Sequence, residues 1–240
     1  MNGWSSFRAL FGLFVDTART TFRIGGFVVA GVLAVVVAWR LGTQPTEDAT
    51  QRAADVADVI GISFLAPLAS LIFGTAMFGD LADDDTLVYL WLRPTPRYLI
   101  SAAAHSAALV ASLPAVVVSI AAVQIALGSP LGIILATVGA TAAATVAATS
   151  VFVALGLITK RALVWGIAYV LIVEQFLARG GSGLGSISIR SASMSIIAHF
   201  TDSESAVAWF GPWRSMAMLI VVSVVARAVT VWALRHREVA

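Results

Sequence analysis

The chain has 240 residues, of which 59% are hydrophobic and only 12% are charged, and its mean hydropathy is +0.93. A soluble domain needs about a quarter of its residues charged to cover its surface, so this composition excludes a soluble protein. The net charge of +2 comes from basic residues standing singly at the ends of apolar runs, which argues against nucleic-acid binding. The absence of cysteine excludes disulfides and thiolate metal sites.

The first predicted element is an amphipathic helix within residues 1–23. Trp4, Phe7, Phe11 and Phe14 recur at helical spacing, whereas the charged residues fall largely elsewhere on the helical wheel. We expect this helix to lie on the cytoplasmic surface of the membrane. A disordered, weakly lipid-associated tail is the alternative.

Residues 24–240 contain about six apolar segments long enough to cross a hydrocarbon core of about 30 Å, which takes about 20 helical residues. The third and fourth exceed that length, and Pro114 gives the third a kink point. The fold class predicted is an all-α, polytopic integral membrane protein. The predicted spans are Ile24 to Leu41, Ala57 to Gly79, Tyr98 to Leu127, Leu131 to Thr159, Ala162 to Ala178, and Met216 to Leu234.

The distribution of basic residues predicts that both termini are cytoplasmic. With the N-terminus inside, nine Lys and Arg residues fall in cytoplasmic loops and tails and five fall on the opposite side. The first apolar run is longer than the core of a signal peptide and lacks a small-residue cleavage pattern, so we expect it to be retained.

The outer loop, residues 179–214, is too long for a simple connection. It is rich in Gly and Ser at its start and more apolar afterwards, which predicts a partly helical, partly membrane-dipping cap. Gly181, Gly183 and Gly185 form a loose cluster with no preceding strand, and we interpret them as a flexible hinge rather than a phosphate-binding loop.

The cytoplasmic loop 80–97 contains four of the thirteen acidic residues. An apolar stripe of Leu87, Leu90 and Trp91 follows the acids, and Pro94 then ends the segment. This order predicts a short amphipathic helix, from Leu81 to Leu92, with acids at its positive end and a face that docks on another protein. A solvated turn is the alternative.

The spacing within this loop resembles that of the permease subunits of type-2 ATP-binding-cassette exporters. In that family an acidic residue precedes Thr-Leu and a leucine-rich helix, a Pro follows the Thr by eight residues, and an Arg follows the Pro by three. The Gly that commonly precedes the Thr is Asp85 here. The residues that match the pattern are Asp83 or Asp84, Thr86, Leu87, Leu90, Pro94 and Arg97.

The resemblance implies a multi-pass permease of the cytoplasmic membrane that exports a substrate by alternating access. It implies a second permease subunit, identical or related, and separate ATPase subunits that bind ATP and Mg. The resemblance implies that the loop couples this chain to the ATPase. The coupling residues would be Asp83, Asp84, Thr86, Leu87, Leu90, Trp91, Pro94 and Arg97.

Catalytic motifs are missing from the sequence. A phosphate-binding loop needs Gly-x-x-x-x-Gly-Lys-Ser/Thr, whereas the only lysine, Lys160, stands between Thr159 and Arg161. We therefore expect no ATPase activity, no cofactor and no metal site in this chain. The Glu-Ala-Ala signature of importers is also missing, which favours export. A secondary transporter without ATP, and a membrane anchor or regulator that binds an ATPase, remain alternatives.

Three ionisable residues lie within or near the ends of predicted spans, where a charge is costly. Glu174 is the candidate for a functional role, and its structural alternatives are snorkelling to the interface or pairing with an arginine. For His105 we expect a helix-to-helix hydrogen bond, and for Arg227 snorkelling to the inner interface.

Overall fold

The structure is a computed structural model, and the residues that it describes are helical apart from short connections, with no strand among them. The described residues are 3–42, 48–84, 86, 88–89, 92, 95–159, 161–179, 183, 185–203 and 208–236. The helices are α1 Gly3–Ala18, α2 Thr21–Gly42, α3 Ala49–Val56, α4 Ala66–Asp83, α5 Arg97–Ala126, α6 Leu131–Ile158, α7 Ala162–Tyr169, α8 Ile189–Thr201 and α9 Pro212–His236.

Two π-helical segments continue these helices. The first, π1, spans Ala57–Leu65 and joins α3 to α4, and the second, π2, spans Val170–Phe176 and extends α7. A π-helical turn leaves the regular hydrogen-bond ladder and is often found at functional sites. Both segments carry a buried or partly buried acidic residue, described below.

Five helices in the described part of the chain are long and apolar enough to cross a membrane, which confirms an all-α, multi-pass membrane protein. The fifth predicted span is also an apolar helix, but its α and π parts together cover only Ala162–Phe176 and fall short of the other five. The five long helices are Arg23–Gly42, Ala49–Ala82, Arg97–Ala126, Leu131–Ile158 and Pro212–His236.

Hydrogen bonds at the helix ends fix the antiparallel arrangement of neighbouring helices. Arg23 near the start of α2 bonds to Asp80 near the end of α4, at 2.7 Å. At the opposite end, the Gln124 amide of α5 donates to the Ala53 carbonyl of α3, at 3.0 Å. We call the end of the bundle with residues 80–97 the inner end and the opposite end the outer end, after the predicted orientation.

Close backbone packing joins α4 and α6 in the centre of the bundle. A Cβ atom added at Gly156 would lie 2.7 Å from the Thr75 carbonyl oxygen, so the two helices touch there through their backbones. Toward the outer end, the Thr149 hydroxyl donates to the Ser70 hydroxyl at 3.0 Å and lies 3.2 Å from the Ser112 hydroxyl of α5. Small residues and hydroxyl pairs hold helices together where lipid offers no hydrophobic contrast.

The predicted N-terminal helix is present as α1, but it ends at Ala18, and residues 21–23 already belong to α2. Its Leu10 and Phe14 are fully buried, and the Phe14 ring meets Phe78 of α4 edge-on at 5.5 Å. Trp4 remains 70% exposed. The aromatic stripe is therefore divided between packing on the bundle and exposure, and the predicted surface position in the membrane stays a prediction.

The outer loop contains the predicted helical portion, α8, and this helix is buried within the bundle. Every residue from Ile189 to Ile197 is buried, and α8 packs against α6 and α9. It begins where the Ser188 hydroxyl accepts the Ser191 amide hydrogen at 3.2 Å, and it ends at Asp202 in the left-handed conformation. The helix therefore inserts between the spans.

Candidate functional site

The acidic end of loop 80–97 belongs to α4, which differs from the prediction. Residues up to Asp83 form the last turn of α4, and the amide of exposed Asp84 donates to the Asp80 carbonyl at 2.9 Å. The Thr86 amide and hydroxyl both donate to the Leu81 carbonyl, at 2.9 and 3.3 Å. The prediction that Leu81 starts a new helix with acids at its positive end is thus wrong.

The remaining coupling candidates are divided between described and undescribed residues. Leu87, Leu90, Trp91 and Pro94 lie outside the described residues. Arg97 is the first residue of α5. Three side chains that the structure describes between Leu87 and Pro94 are exposed, those of Val88, Tyr89 and Leu92.

An ion pair compensates the acidic end of α4. Both Asp80 carboxylate oxygens accept from Arg23 Nη2, at 2.8 and 2.7 Å, and Arg23 Nη1 donates to the Thr17 carbonyl at 3.0 Å. A carboxylate at a helix C-terminus is unfavourable because that end carries partial negative charge, and the arginine offsets this. One side chain thereby connects the end of α1, the start of α2 and the root of the loop.

A cavity of about 670 Å³ opens beside this ion pair. Its lining comes from α2, α4, the end of α6 and the start of α7, and it includes Arg23, Asp80 and Arg161. The other lining residues are mostly apolar, Phe27 and Ile72 among them. The loop root and the cavity therefore share the wall formed by the last turns of α4.

A second polar site lies in the outer half of the bundle, around Glu174 in π2. Glu174 is only 4% exposed, and its carboxylate accepts four hydrogen bonds. Tyr169 and Ser188 donate their hydroxyls at 2.8 and 2.9 Å, and the amides of Ile189 and Arg190 donate at 3.2 and 2.8 Å. Glu174 therefore caps the N-terminus of α8, where backbone amides lack helical acceptors and negative charge is favoured.

The Arg190 side chain forms a bidentate ion pair with Asp58 of π1. Nε lies 2.8 Å from Oδ1 and Nη2 lies 2.6 Å from Oδ2, while Nη1 donates to the Gln175 side chain at 3.2 Å. Gln175 in turn donates to the Ser63 carbonyl at 3.2 Å. The hydrogen bonds to Asp58 raise the pKa of Arg190, so this group keeps its charge.

These bonds tie π1, π2 and the start of α8 into one network whose charged groups are all partnered. No cluster of three or more His, Asp or Glu side chains suited to a metal ion occurs among the described residues. Glu174 does not snorkel, because it is buried, and its contact with Arg190 is made through that residue's backbone amide. The network is built to hold α8 in place.

Sequence reasoning missed Asp58 and Arg190. Asp58 is the second residue of the predicted second span, so the rule that identified Glu174 applied to it as well. Nothing local to Arg190 indicates its partner, because the two residues are 132 positions apart and meet only through the inward turn of α8.

The other two ionisable residues, His105 and Arg227, lie outside this network. His105 is buried, and its Nδ1 lies 2.8 Å from the Ser101 carbonyl of its own helix, while the expected helix-to-helix hydrogen bond stays a prediction. Arg227 is exposed on α9, and its predicted snorkelling stays a prediction.

Comparison of the chain with protein-family models and with curated proteins found no match in either.

Proposed function

We propose that this chain is the membrane subunit of an exporter of the cell membrane that is driven by separate ATP-binding-cassette ATPase subunits. The observation that supports the proposal is that α4 forms a wall of the cavity and also leads into loop 80–97 at the inner end. The last turns of α4 line the 670 Å³ cavity through Thr75, Gly79 and Asp80, and the same helix continues directly into loop 80–97. A force applied to the loop would therefore move the cavity wall.

The Arg23–Asp80 pair supports this coupling. It joins the loop root to the start of α2 on the other side of the cavity, at 2.7 Å. When an ATPase subunit displaces the loop, α4 and α2 would move together rather than separately. The acids Asp83 and Asp84, together with Thr86 and Arg97, lie at the two ends of the loop, where this force enters the spans.

Two outward apolar faces support pairing with a second permease. Exposed apolar residues follow one another along α2, among them Val29, Leu33 and Val36, and along α7 and π2, among them Trp165 and Leu171. The same two helices, α2 and α7, also contribute residues to the cavity lining, so a second subunit placed against them would lie beside the cavity. Lipid would cover them in an isolated subunit.

An ATP-independent secondary transporter is the second candidate, and the Asp58–Arg190 pair favours it. Such transporters need ionisable groups within the spans, and Asp58 is one, with Arg190 as its partner. In the structure, however, both charges are held by fixed hydrogen bonds, and Glu174 caps α8. This arrangement suits a rigid joint better than a site that binds and releases ions.

Co-purification tests the proposal. The chain is expressed in its native host with an added affinity tag, and the ATPase that co-purifies is identified by its phosphate-binding loop and its ATP hydrolysis. The double variant Leu90→Ala/Trp91→Ala removes the apolar stripe of the loop and should lose most of the ATPase.

The matched control is Leu131→Ala/Trp213→Ala, which removes an exposed Leu and an exposed Trp at the outer end. This control should retain the ATPase. Equal retention by both double variants, or no ATPase with the wild type, would contradict the proposal.

A further inference from the structure

The cavity at the inner end has a mainly apolar wall. Phe27 of α2 and Leu68 and Ile72 of α4 form an apolar surface, which Leu163 and Val164 of α7 extend. The volume of about 670 Å³ is in the roughly 300–1,000 Å³ range of small-molecule sites. Apolar walls of this extent favour a hydrocarbon chain.

The charged residues that the structure describes in the cavity lining, Arg23, Asp80 and Arg161, sum to one positive charge. Arg23 and Asp80 neutralise each other through their ion pair. Arg161 is the third charged residue of the lining, and the described residues supply no hydrogen-bond or ion-pair partner for its guanidinium group. An anion would complement this side chain.

The start of α7 adds a second attraction for an anion. Arg161 occupies the N-cap position without a side-chain hydrogen bond, and the first bond of the helix runs from the Trp165 amide to the Arg161 carbonyl, at 3.2 Å. Residues 162–164, whose amides precede that bond, line the cavity. Unpaired amides and the positive end of the helix dipole together favour a phosphate group.

We propose that this cavity binds a lipid-like amphiphile with a phosphate headgroup, taken from the inner leaflet. The phosphate would lie between Arg161 and the start of α7, and the acyl chain would lie along Phe27, Leu68 and Ile72. A free phosphate ion would leave that apolar wall in contact with water, which favours the amphiphile. The inference rests on the proposed export function and names the substrate class of the same cavity.

Photolabelling of the permease without any ATPase tests the assignment. The protein is placed in phosphatidylcholine nanodiscs with a trace of photoactivatable phosphatidic acid or of diacylglycerol carrying the same chains. Phosphatidic acid should label peptides from α2, α4 and α7, and diacylglycerol should label them about tenfold less. Arg161→Gln should lower phosphatidic acid labelling about tenfold, the effect of losing one charge-assisted contact.

The matched control is Arg8→Gln, an exposed arginine on α1 outside the cavity lining, which should keep full labelling. Ile72→Trp, which fills the apolar part, should also reduce labelling. Three results would each overturn the assignment: equal labelling by the neutral lipid, unchanged labelling of Arg161→Gln, or displacement of the probe by millimolar inorganic phosphate.

The two experiments distinguish failure of the substrate assignment from failure of the proposed ATPase-driven export. Loss of headgroup-dependent labelling with ATPase co-purification intact overturns the substrate class alone. Loss of co-purification with labelling intact overturns ATPase-driven export and leaves a lipid-binding cavity.

Discussion

Arg190 at the start of α8 and Asp58 in π1 meet in a bidentate pair, with side chains only 6% and 14% exposed. Removing one partner leaves an uncompensated charge, so Asp58→Asn and Arg190→Gln should each destabilise the protein by about 3–5 kcal/mol. The double variant Asp58→Asn/Arg190→Gln should lose less stability than the two single variants lose in sum. Thermal unfolding in detergent measures this.

Asp202→Asn is the matched control for Asp58→Asn. It removes an exposed carboxylate in the outer loop, just after α8, at a left-handed position that asparagine tolerates. Its unfolding temperature should equal that of the wild type, and an equal loss in the two variants would argue against the ion pair.

Glu174→Gln should release the start of α8. A glutamine cannot accept all four hydrogen bonds, and each bond to a charged group contributes about 1.5–3 kcal/mol. Hydrogen exchange of amides 189–191 should therefore accelerate. Tyr169→Phe removes one bond only and should have a smaller effect of about 1 kcal/mol. Unchanged hydrogen exchange in Glu174→Gln would contradict the capping role of Glu174.

Gly156→Ala should separate α4 from α6. The added methyl group would lie 2.7 Å from the Thr75 carbonyl, and such overpacking costs about 1–3 kcal/mol. Gly139→Ala in the same helix places its methyl group in open space and should be neutral or slightly stabilising. The unfolding temperatures of the two variants give the comparison, and equal values would contradict the close contact.

The orientation is testable because the chain has no native cysteine. An impermeant thiol reagent added to intact cells should label Ser203→Cys, at the outer end, but not Asp84→Cys, at the inner end. Both positions should react after the membrane is opened. Labelling of Asp84→Cys in intact cells would reverse the predicted topology.

Span boundaries were predictable where turn residues mark them. Helix α5 begins one residue before the predicted start, directly after Pro96, and α6 begins at the predicted Leu131, directly after Pro130. Proline disfavours the continuation of a preceding helix but is tolerated at the start of the next helix, so Pro96 and Pro130 mark these limits in the sequence.

The insertion of α8 between the spans goes further than the predicted membrane-dipping cap. Its serines bring hydroxyl groups into the core, and the hydroxyls of Ser193 and Ser195 donate to the Ile189 and Ser191 carbonyls of the same helix, at 2.9 and 2.8 Å. Local bonding of this kind lets a polar side chain lie in the core without a distant partner. The Asp58–Arg190 pair follows from this inward turn and was missed with it.

The most direct test of the central claim, that loop 80–97 docks an ATPase subunit, is photocross-linking from Tyr89, whose side chain is 66% exposed. A photoreactive phenylalanine analogue at Tyr89 should cross-link to a polypeptide with a phosphate-binding loop. The same analogue at exposed Phe200, in α8 of the outer loop, should not. Cross-links from Tyr89 to lipid alone, or to the ATPase equally from both positions, would contradict the account.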